Sequence, residues 1–264
     1  MKNIIAFSIL LLLLVPVNAQ SPLERLENSP RHHEWVDVSY DNRVVRSFLV
    51  YPEISEKALV VIVIHENRGL NDWARSMADQ IAEAGYIALA PDLLSGSGPD
   101  NGGTDSFANS DDARTAIYAL TKEQVESDLN AVAAYGKSIP AGNGKVAVIG
   151  FCWGGSQSFN MATFNKDIEA ALVCYGTGPE EEEAITNIKA PVYGFYGGND
   201  NRVNATIETS SALMKKYDKA YHPVIYPGAG HGFFRAGEMP DASEENKKGR
   251  EDGWVRLKQI LKNL

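Results

Sequence analysis

Continuous apolar runs separated by helical patterns are the feature of this chain that most restricts its fold. The segment ALVVIVIH (58–65) has no polar residue before its last position, which is typical of a strand covered on both faces. Further strands are predicted at 86–93, 145–150, 170–175, 191–196 and 222–226, with helices at 72–86, 113–139, 153–165, 205–218 and about 243–263. This alternation predicts an α/β protein with a mostly parallel central sheet and helices on both faces.

Three other segments qualify this pattern. The stretch HEWVDVSYDNRVVRSFLVYP (33–52) alternates apolar and polar residues around DNR, which predicts a β-hairpin. The helical pattern of 113–139 is expected to break near Thr121. The polar segment 95–112 is rich in Gly, Asp, Asn and Ser, and a loop of this length often serves as a lid or a binding loop.

The amino-terminal residues have the pattern of a secretory signal. Lys2 is the only charge before an apolar stretch, and the small residues Val17, Asn18 and Ala19 follow it. We expect cleavage after Ala19, because the apolar stretch is short for a retained membrane anchor. Residues 1–19 would then be a signal peptide, 20–264 would form a single domain, and the protein would be periplasmic or extracellular, with no stable membrane insertion after signal removal.

The charge of the chain disfavours one class of partner. The formal net charge is −9, and an acidic surface repels phosphate backbones. We therefore expect no nucleic-acid partner.

The two cysteines call for different interpretations. Cys174 lies in AALVCYG and is expected to be a small apolar residue of a buried strand. Cys152 lies in GFCWG, between a predicted strand and a predicted helix. This G-x-C-x-G pattern is that of a nucleophile elbow with sulfur in place of the usual serine oxygen. A helix amino terminus close to the sulfur favours thiolate, although a cysteine in a strand–helix turn without chemistry remains an alternative.

A nucleophilic thiol needs a base and a residue that orients the base. In this topology both are expected later in the chain, in the order acid and then histidine. Asp200 follows the strand predicted at 191–196, and His231 follows the strand predicted at 222–226. Cys152, His231 and Asp200 are therefore predicted to meet at the carboxyl edge of the sheet.

The remaining histidines do not suggest a metal site. His32 and His33 precede the first strand and are expected to be solvated, whereas His65 ends a strand beside Glu66. Their spacing is poor for metal ligation. The acidic segment 100–112 suggests calcium only weakly, because a solvated loop has the same composition. We therefore predict no metal.

With these motifs in place, the sequence resembles the dienelactone hydrolase (carboxymethylenebutenolidase) family, in particular an exported branch with HENRGL after the third strand. The resemblance runs from about residue 36 to the carboxyl terminus. The motifs that carry it are VIVIHENRGL, GYIALAPDLL, GKVAVIGFCWGG, FYGGND and GAGHGFFR. It implies an α/β-hydrolase fold and a Cys152–His231–Asp200 triad.

The resemblance also implies roles for residues around the triad. Glu66 would partner the resting thiol, and the repulsion of like charges would keep that thiol protonated until substrate binds. The alternative for Glu66 is a loop carboxylate bound to Arg68 or another base. The backbone N–H groups of Trp153 and Asn67 would form the oxyanion hole. Arg235 matches an arginine that holds the substrate carboxylate.

One arginine of the family pattern is missing. The segment after the PDL motif, where the family has a second carboxylate-binding arginine, reads DLLSG here. Arg68 or Arg202 could substitute for it, and each is also plausible as a surface or structural ion pair. This departure puts dienelactone itself in doubt as the substrate.

These observations predict a cofactor-free hydrolase that cleaves a small-molecule ester or lactone, including one that bears a carboxylate, through a thioester acyl-enzyme. An alternative is a catalytically degenerate α/β-hydrolase that binds a small molecule. A second alternative is thiol redox chemistry between Cys152 and Cys174, which the absence of a C-x-x-C motif disfavours.

Overall fold

The computed structural model describes residues 20–264, so the predicted signal peptide 1–19 lies outside the described residues. Its centre is one eight-stranded sheet with the order β1-β2-β4-β3-β5-β6-β7-β8. The strands are β1 (His33–Tyr40), β2 (Arg43–Val50), β3 (Ala58–Ile64), β4 (Ile87–Pro91), β5 (Gly142–Phe151), β6 (Ala171–Cys174), β7 (Val192–Gly197) and β8 (Tyr221–Tyr226). The pairs β1–β2 and β2–β4 are antiparallel and all the others are parallel, which confirms the predicted hairpin and the mostly parallel sheet.

Helices cover both faces of this sheet. They are α1 (Pro22–Glu27), α2 (Asp72–Glu83), α3 (Ser110–Ala119), α4 (Lys122–Ser138), α5 (Trp153–Phe164), α6 (Asn201–Asn204), α7 (Ile207–Lys216), α8 (Phe233–Ala236) and α9 (Glu244–Lys262). Helices α4, α5 and α7 share a core with one face of the sheet, and α2, α8 and α9 share a core with the other face. The prediction of helices on both faces is thus confirmed.

Strand β3 shows why the apolar runs were informative. Val60, Ile62 and Ile64 point into one core, whereas Leu59, Val61 and Val63 point into the other. All seven residues of the strand are buried. Burial of a Val, Leu or Ile side chain stabilises the folded state by about 1.5–3 kcal/mol. The side chains on both faces of the strand therefore favour its position in the middle of the sheet.

Local side-chain caps set the helix boundaries. Thr121 accepts a hydrogen bond from the backbone N–H of Gln124 and starts α4, which confirms the predicted break in 113–139. Asn109 accepts from two backbone N–H groups and starts α3 at Ser110, three residues earlier than predicted. The predicted helix 205–218 corresponds to α7, and the short helix α6, which was not predicted, precedes it.

The segment 95–112 is more ordered than a plain loop. It contains two 3-10 turns, Pro99–Asn101 and Thr104–Ser106. The carboxylate of Asp92 accepts hydrogen bonds from the backbone and the hydroxyl of Thr104, each at 2.7 Å. These bonds tie the middle of the segment to the end of β4.

A buried carboxylate fastens the amino-terminal arm to α2. Asp79 is fully buried and accepts hydrogen bonds from Arg31 Nε (2.9 Å) and Nη2 (2.6 Å) and from the Ser29 hydroxyl (2.6 Å). His33 Nε2 lies 2.8 Å from the same carboxylate. The expectation of a solvated His33 is therefore wrong, because its ring has a buried acidic partner.

Among residues 20–264, no helix is both long enough and apolar enough to cross a membrane.

Candidate active site

Cys152 lies in a strained turn between β5 and α5. Its backbone has φ 55° and ψ −114°, a left-handed region that L residues seldom adopt. Its N–H donates to the carbonyl of Cys174 on the neighbouring strand at 3.0 Å. The cysteine therefore has the backbone geometry of the predicted elbow.

Glycines make this turn possible. A Cβ atom on Gly150 would lie 1.9 Å from the carbonyl oxygen of Gly154, and one on Gly154 would lie 2.3 Å from the carbonyl oxygen of His65. Backbone from three segments thus meets at the elbow, and any larger residue at either position would have to displace it.

The structure brings the predicted triad together. His231 Nε2 lies 3.2 Å from Cys152 Sγ, and His231 Nδ1 lies 2.5 Å from Asp200 Oδ2. Asp200 follows β7 and is buried, and its other carboxylate oxygen accepts the backbone N–H of Val203 at 3.3 Å. The short contact to Asp200 fixes a proton on Nδ1, which leaves Nε2 free to accept the thiol proton.

Glu66 pairs with Arg235. Its carboxylate lies 2.9 Å from Arg235 Nε and accepts the Tyr175 hydroxyl at 3.4 Å. The resemblance implied that Glu66 partners the thiol and that Arg235 holds a substrate. Both roles stay predictions. The two residues, 169 positions apart, form an ion pair in which the carboxylate is largely buried and the guanidinium is about half exposed.

The surroundings keep the resting thiol protonated. Burial raises the pKa of Cys152, and the negative charge of Glu66 raises it further. The backbone N–H of Trp153 and the charges of Arg202 and Arg235 act in the opposite direction but do not outweigh these causes. Together these surroundings favour the protonated form of the thiol.

The predicted oxyanion-hole residues come from two different loops. Trp153 starts α5 directly after Cys152, and its backbone N–H acts to lower the pKa of the thiol. Asn67 follows β3 and is half-buried, and its side-chain amide donates to the Tyr118 hydroxyl at 3.2 Å. Both residues lie at the carboxyl edge of the sheet, as the sequence predicted.

A cavity of about 450 Å³ opens beside Cys152, within the size range of small-molecule sites. Its walls come from α5, from the start of α4, from Tyr118 and from the segment 177–184. Arg202 lines the cavity, whereas Arg68 is exposed outside it. The segment 95–112 contributes no residue to its walls.

Sequence reasoning missed Tyr175 and placed His65 near the site without a role. Tyr175 is buried, has a positive φ of 42°, and packs its ring edge-to-face on His231 at 5.1 Å. His65 is buried, donates from Nδ1 to the Glu66 carbonyl at 2.7 Å, and stacks on Trp153 at 5.7 Å. The signal available for Tyr175 was its place after β6, at the same edge of the sheet as Cys152.

Both cysteines are free thiols, and Cys174 is buried in the sheet. Burial raises the pKa of its thiol well above the usual range. Within residues 20–264, no group of three or more His, Cys, Asp or Glu side chains is placed to hold a metal ion.

A mostly parallel sheet with helices on both faces, a strained cysteine after β5, and an acid and a histidine after β7 and β8 define the α/β-hydrolase fold. Residues 45–264 match the sequence profile of the Dienelactone hydrolase family. The chain belongs to that family.

Relatives and solved structures agree with this assignment. A predicted carboxymethylenebutenolidase from Saccharolobus solfataricus is 30% identical over 253 residues, which cover 85% of this chain and 96% of the relative. Another from Salmonella typhimurium is 31% identical over 223 residues, which cover 80% of each chain. The crystal structure of a predicted dienelactone hydrolase from Klebsiella pneumoniae shares the fold, with a TM-score of 0.77, 23% identity, and coverage of 89% of this chain and 99% of that one.

Proposed function

We propose that the protein hydrolyses a small-molecule ester or lactone with Cys152 as the nucleophile. The observation that carries the proposal is the chain of short contacts from Cys152 Sγ through His231 to Asp200, at a strained elbow beside a cavity. Family membership supports the reaction class, and curated relatives carry the name carboxymethylenebutenolidase.

The first half of the reaction acylates the sulfur. His231 Nε2 takes the thiol proton while the sulfur attacks the substrate carbonyl carbon, and the oxygen of the tetrahedral intermediate is stabilised by the N–H groups of Trp153 and Asn67. The intermediate collapses, the carbon–oxygen bond of the leaving alcohol breaks, and His231 returns the proton to that oxygen. A thioester remains on Cys152.

The second half releases the acid. His231 takes a proton from a water molecule, whose oxygen attacks the thioester carbonyl. The second intermediate breaks its carbon–sulfur bond, and His231 returns the proton to the sulfur. Asp200 stabilises the imidazolium that forms in each half and holds its ring in place. A lactone follows the same steps, except that the alcohol stays attached to the acyl group.

Glu66 and Arg235 would control when the thiol becomes reactive. While Glu66 keeps its charge near the sulfur, the thiolate is disfavoured. A substrate carboxylate that binds Arg235 would compete with Glu66 for the guanidinium. Arg202, which faces the cavity, is the second candidate contact for a substrate anion, and exposed Arg68 is the weaker one.

Export and domain organisation complete the proposal. We retain a signal peptide at 1–19, a single domain at 20–264, and a periplasmic or extracellular location, supported by the residue pattern of the amino terminus. A mass of the exported protein that still includes residues 1–19 would contradict this part.

The mechanism is tested by Cys152→Ala and His231→Ala with 4-nitrophenyl acetate. Both variants should lose turnover while keeping the wild-type circular dichroism spectrum. Acid-quenched wild type should carry one acetyl group on the peptide that contains Cys152, and the Cys152→Ala protein should not. A Cys152→Ala variant with wild-type turnover would end the proposal, and ligand binding without any turnover in wild type would favour the binding-protein alternative.

A further inference from the structure

We propose that the cavity beside Cys152 binds a hydroxyl-rich acyl group, so that the substrate is an ester or lactone of a polyhydroxylated carboxylic acid. The inference rests on the proposed function, since it assigns the substrate class of the same site.

Beyond Trp153 at its start, the wall formed by α5 is polar and uncharged. Ser156, Gln157, Asn160 and Thr163 recur at helical spacing, and all four line the cavity. With a rise of 1.5 Å per residue, the stretch from Trp153 to Thr163 extends about 15 Å from the nucleophile. A long apolar acyl chain would leave these polar groups without partners, so the wall disfavours one.

Two of these side chains have free hydrogen-bonding capacity. The Ser156 hydroxyl is 3.1 Å from that of Thr177, and the Thr163 hydroxyl donates to the Asn160 carbonyl at 2.7 Å. The side-chain amides of Gln157 and Asn160 are half-buried, and within residues 20–264 neither has a hydrogen-bond partner. Each amide can donate and accept, which suits a hydroxyl group, itself both donor and acceptor.

Aromatic rings border the same cavity near the thiol. Tyr118 and Trp153 both contribute to its walls, and the outer face of Trp153 is available because His65 stacks on the other side. Amphipathic rings beside neutral amides suit a compact ligand with both C–H and O–H groups.

The charges along the cavity disfavour a second anionic group far from the thiol. Arg202 lies near Cys152 and lowers the pKa of its thiol. The opposite wall carries Glu126 and Glu180, and Lys122 there is paired with Glu181 at 2.9 Å. A neutral hydroxylated group meets no repulsion at this end, whereas a carboxylate would.

The position of His231 indicates which part of the substrate, the acyl group or the alcohol, lies in the cavity. The leaving oxygen must lie next to His231 Nε2 to receive its proton, and His231 does not contribute to the cavity walls. The part of the substrate that extends along α5 is therefore the acyl group, while the leaving alcohol lies on the histidine side.

The test compares two methyl esters with one carbon skeleton, methyl quinate and methyl cyclohexanecarboxylate, by methanol release. Wild type should prefer methyl quinate by at least about tenfold in kcat/KM, since one hydrogen bond contributes up to about that factor. Gln157→Leu and Asn160→Leu should each remove most of this preference while keeping the wild-type circular dichroism spectrum. Asn130→Leu, an exposed amide on α4 outside the cavity, is the matched control and should keep the preference.

Other outcomes overturn the inference in distinguishable ways. Equal rates for the two esters in wild type, or an unchanged preference in both leucine variants, would show that α5 does not bind hydroxyl groups. Glucose 6-acetate and cyclohexylmethyl acetate differ in the hydroxyl groups of the alcohol instead of the acyl group. A preference seen only within this pair would mean that the cavity binds the alcohol, and it would refute the acyl assignment. If wild type showed no 4-nitrophenyl acetate turnover that depends on Cys152, the proposed function itself would be refuted.

An inhibition assay on wild type tests the inference without depending on the folding of any variant. Free quinate should inhibit wild-type turnover of 4-nitrophenyl acetate at a concentration about tenfold lower than cyclohexanecarboxylate does. Equal inhibition by the two acids would count against the inference.

Discussion

Replacing Asp200 by asparagine keeps the shape of the side chain but changes what it can accept. One oxygen of Asp200 accepts the Val203 N–H and the other meets His231 Nδ1. Asparagine has only one acceptor oxygen. If that oxygen keeps the Val203 N–H, the amide N–H₂ faces Nδ1 and forces the histidine proton onto Nε2. The ring can then no longer accept the thiol proton of Cys152.

The opposite amide orientation is also unfavourable. It would point the amide N–H₂ at the N–H of Val203 inside a buried site, at a cost of about 1–3 kcal/mol for the unsatisfied donor. Loss of the productive tautomer reduces kcat by about 10⁴ in a Ser-His-Asp enzyme, which corresponds to roughly 5.5 kcal/mol of transition-state stabilisation. We expect a loss of this order for Asp200→Asn.

The assay is kcat/KM for 4-nitrophenyl acetate, with circular dichroism to establish folding. Asp218→Asn, the same change at an exposed position, is the control and should retain wild-type activity. A folded Asp200→Asn protein within tenfold of the wild-type rate would refute the tautomer argument and the role assigned to Asp200.

Three further predictions follow from the charges. Glu66→Gln should lower the pKa of the Cys152 thiol, since it removes a negative charge that raises it; the midpoint of alkylation by iodoacetamide should move to lower pH, and an unchanged midpoint would contradict this. Asp79→Ala should lower the free energy of unfolding by about 3–5 kcal/mol and Tm by roughly 6–20 °C in calorimetry, because it leaves a buried arginine unpaired; the exposed Asp72→Ala should cost under about 1 kcal/mol. Arg202→Gln should reduce the preference for 4-nitrophenyl hemisuccinate over 4-nitrophenyl butyrate by about tenfold, and an equal ratio in both proteins would remove Arg202 as an anion contact.

The parts of the fold that local sequence determines were predictable. The apolar runs gave the strands, Thr121 marked the helix break, and the glycines around Cys152 marked the strained turn. Residues at the ends of parallel strands share one edge of the sheet, so the meeting of Asp200 and His231 with Cys152 followed from chain order.

Contacts between distant segments were not predictable in this way. The pairing of Glu66 with Arg235 and the burial of His33 against Asp79 depend on how loops and helices pack, which no local periodicity encodes. The polar residues of α5 recur at a visible helical spacing. Which of its faces borders a cavity, however, depends on where α4 and the segment 177–184 lie.

The crowded glycines around the elbow have a consequence for how this scaffold can change. Because a Cβ atom at Gly150 or Gly154 would lie within 2.3 Å of a backbone oxygen, neither random mutation nor protein engineering can place a larger residue at the corner that carries the sulfur. Diversification toward new compounds must therefore occur in the surrounding walls, where half-exposed side chains on α5 can be exchanged one at a time without disturbing the reacting atoms.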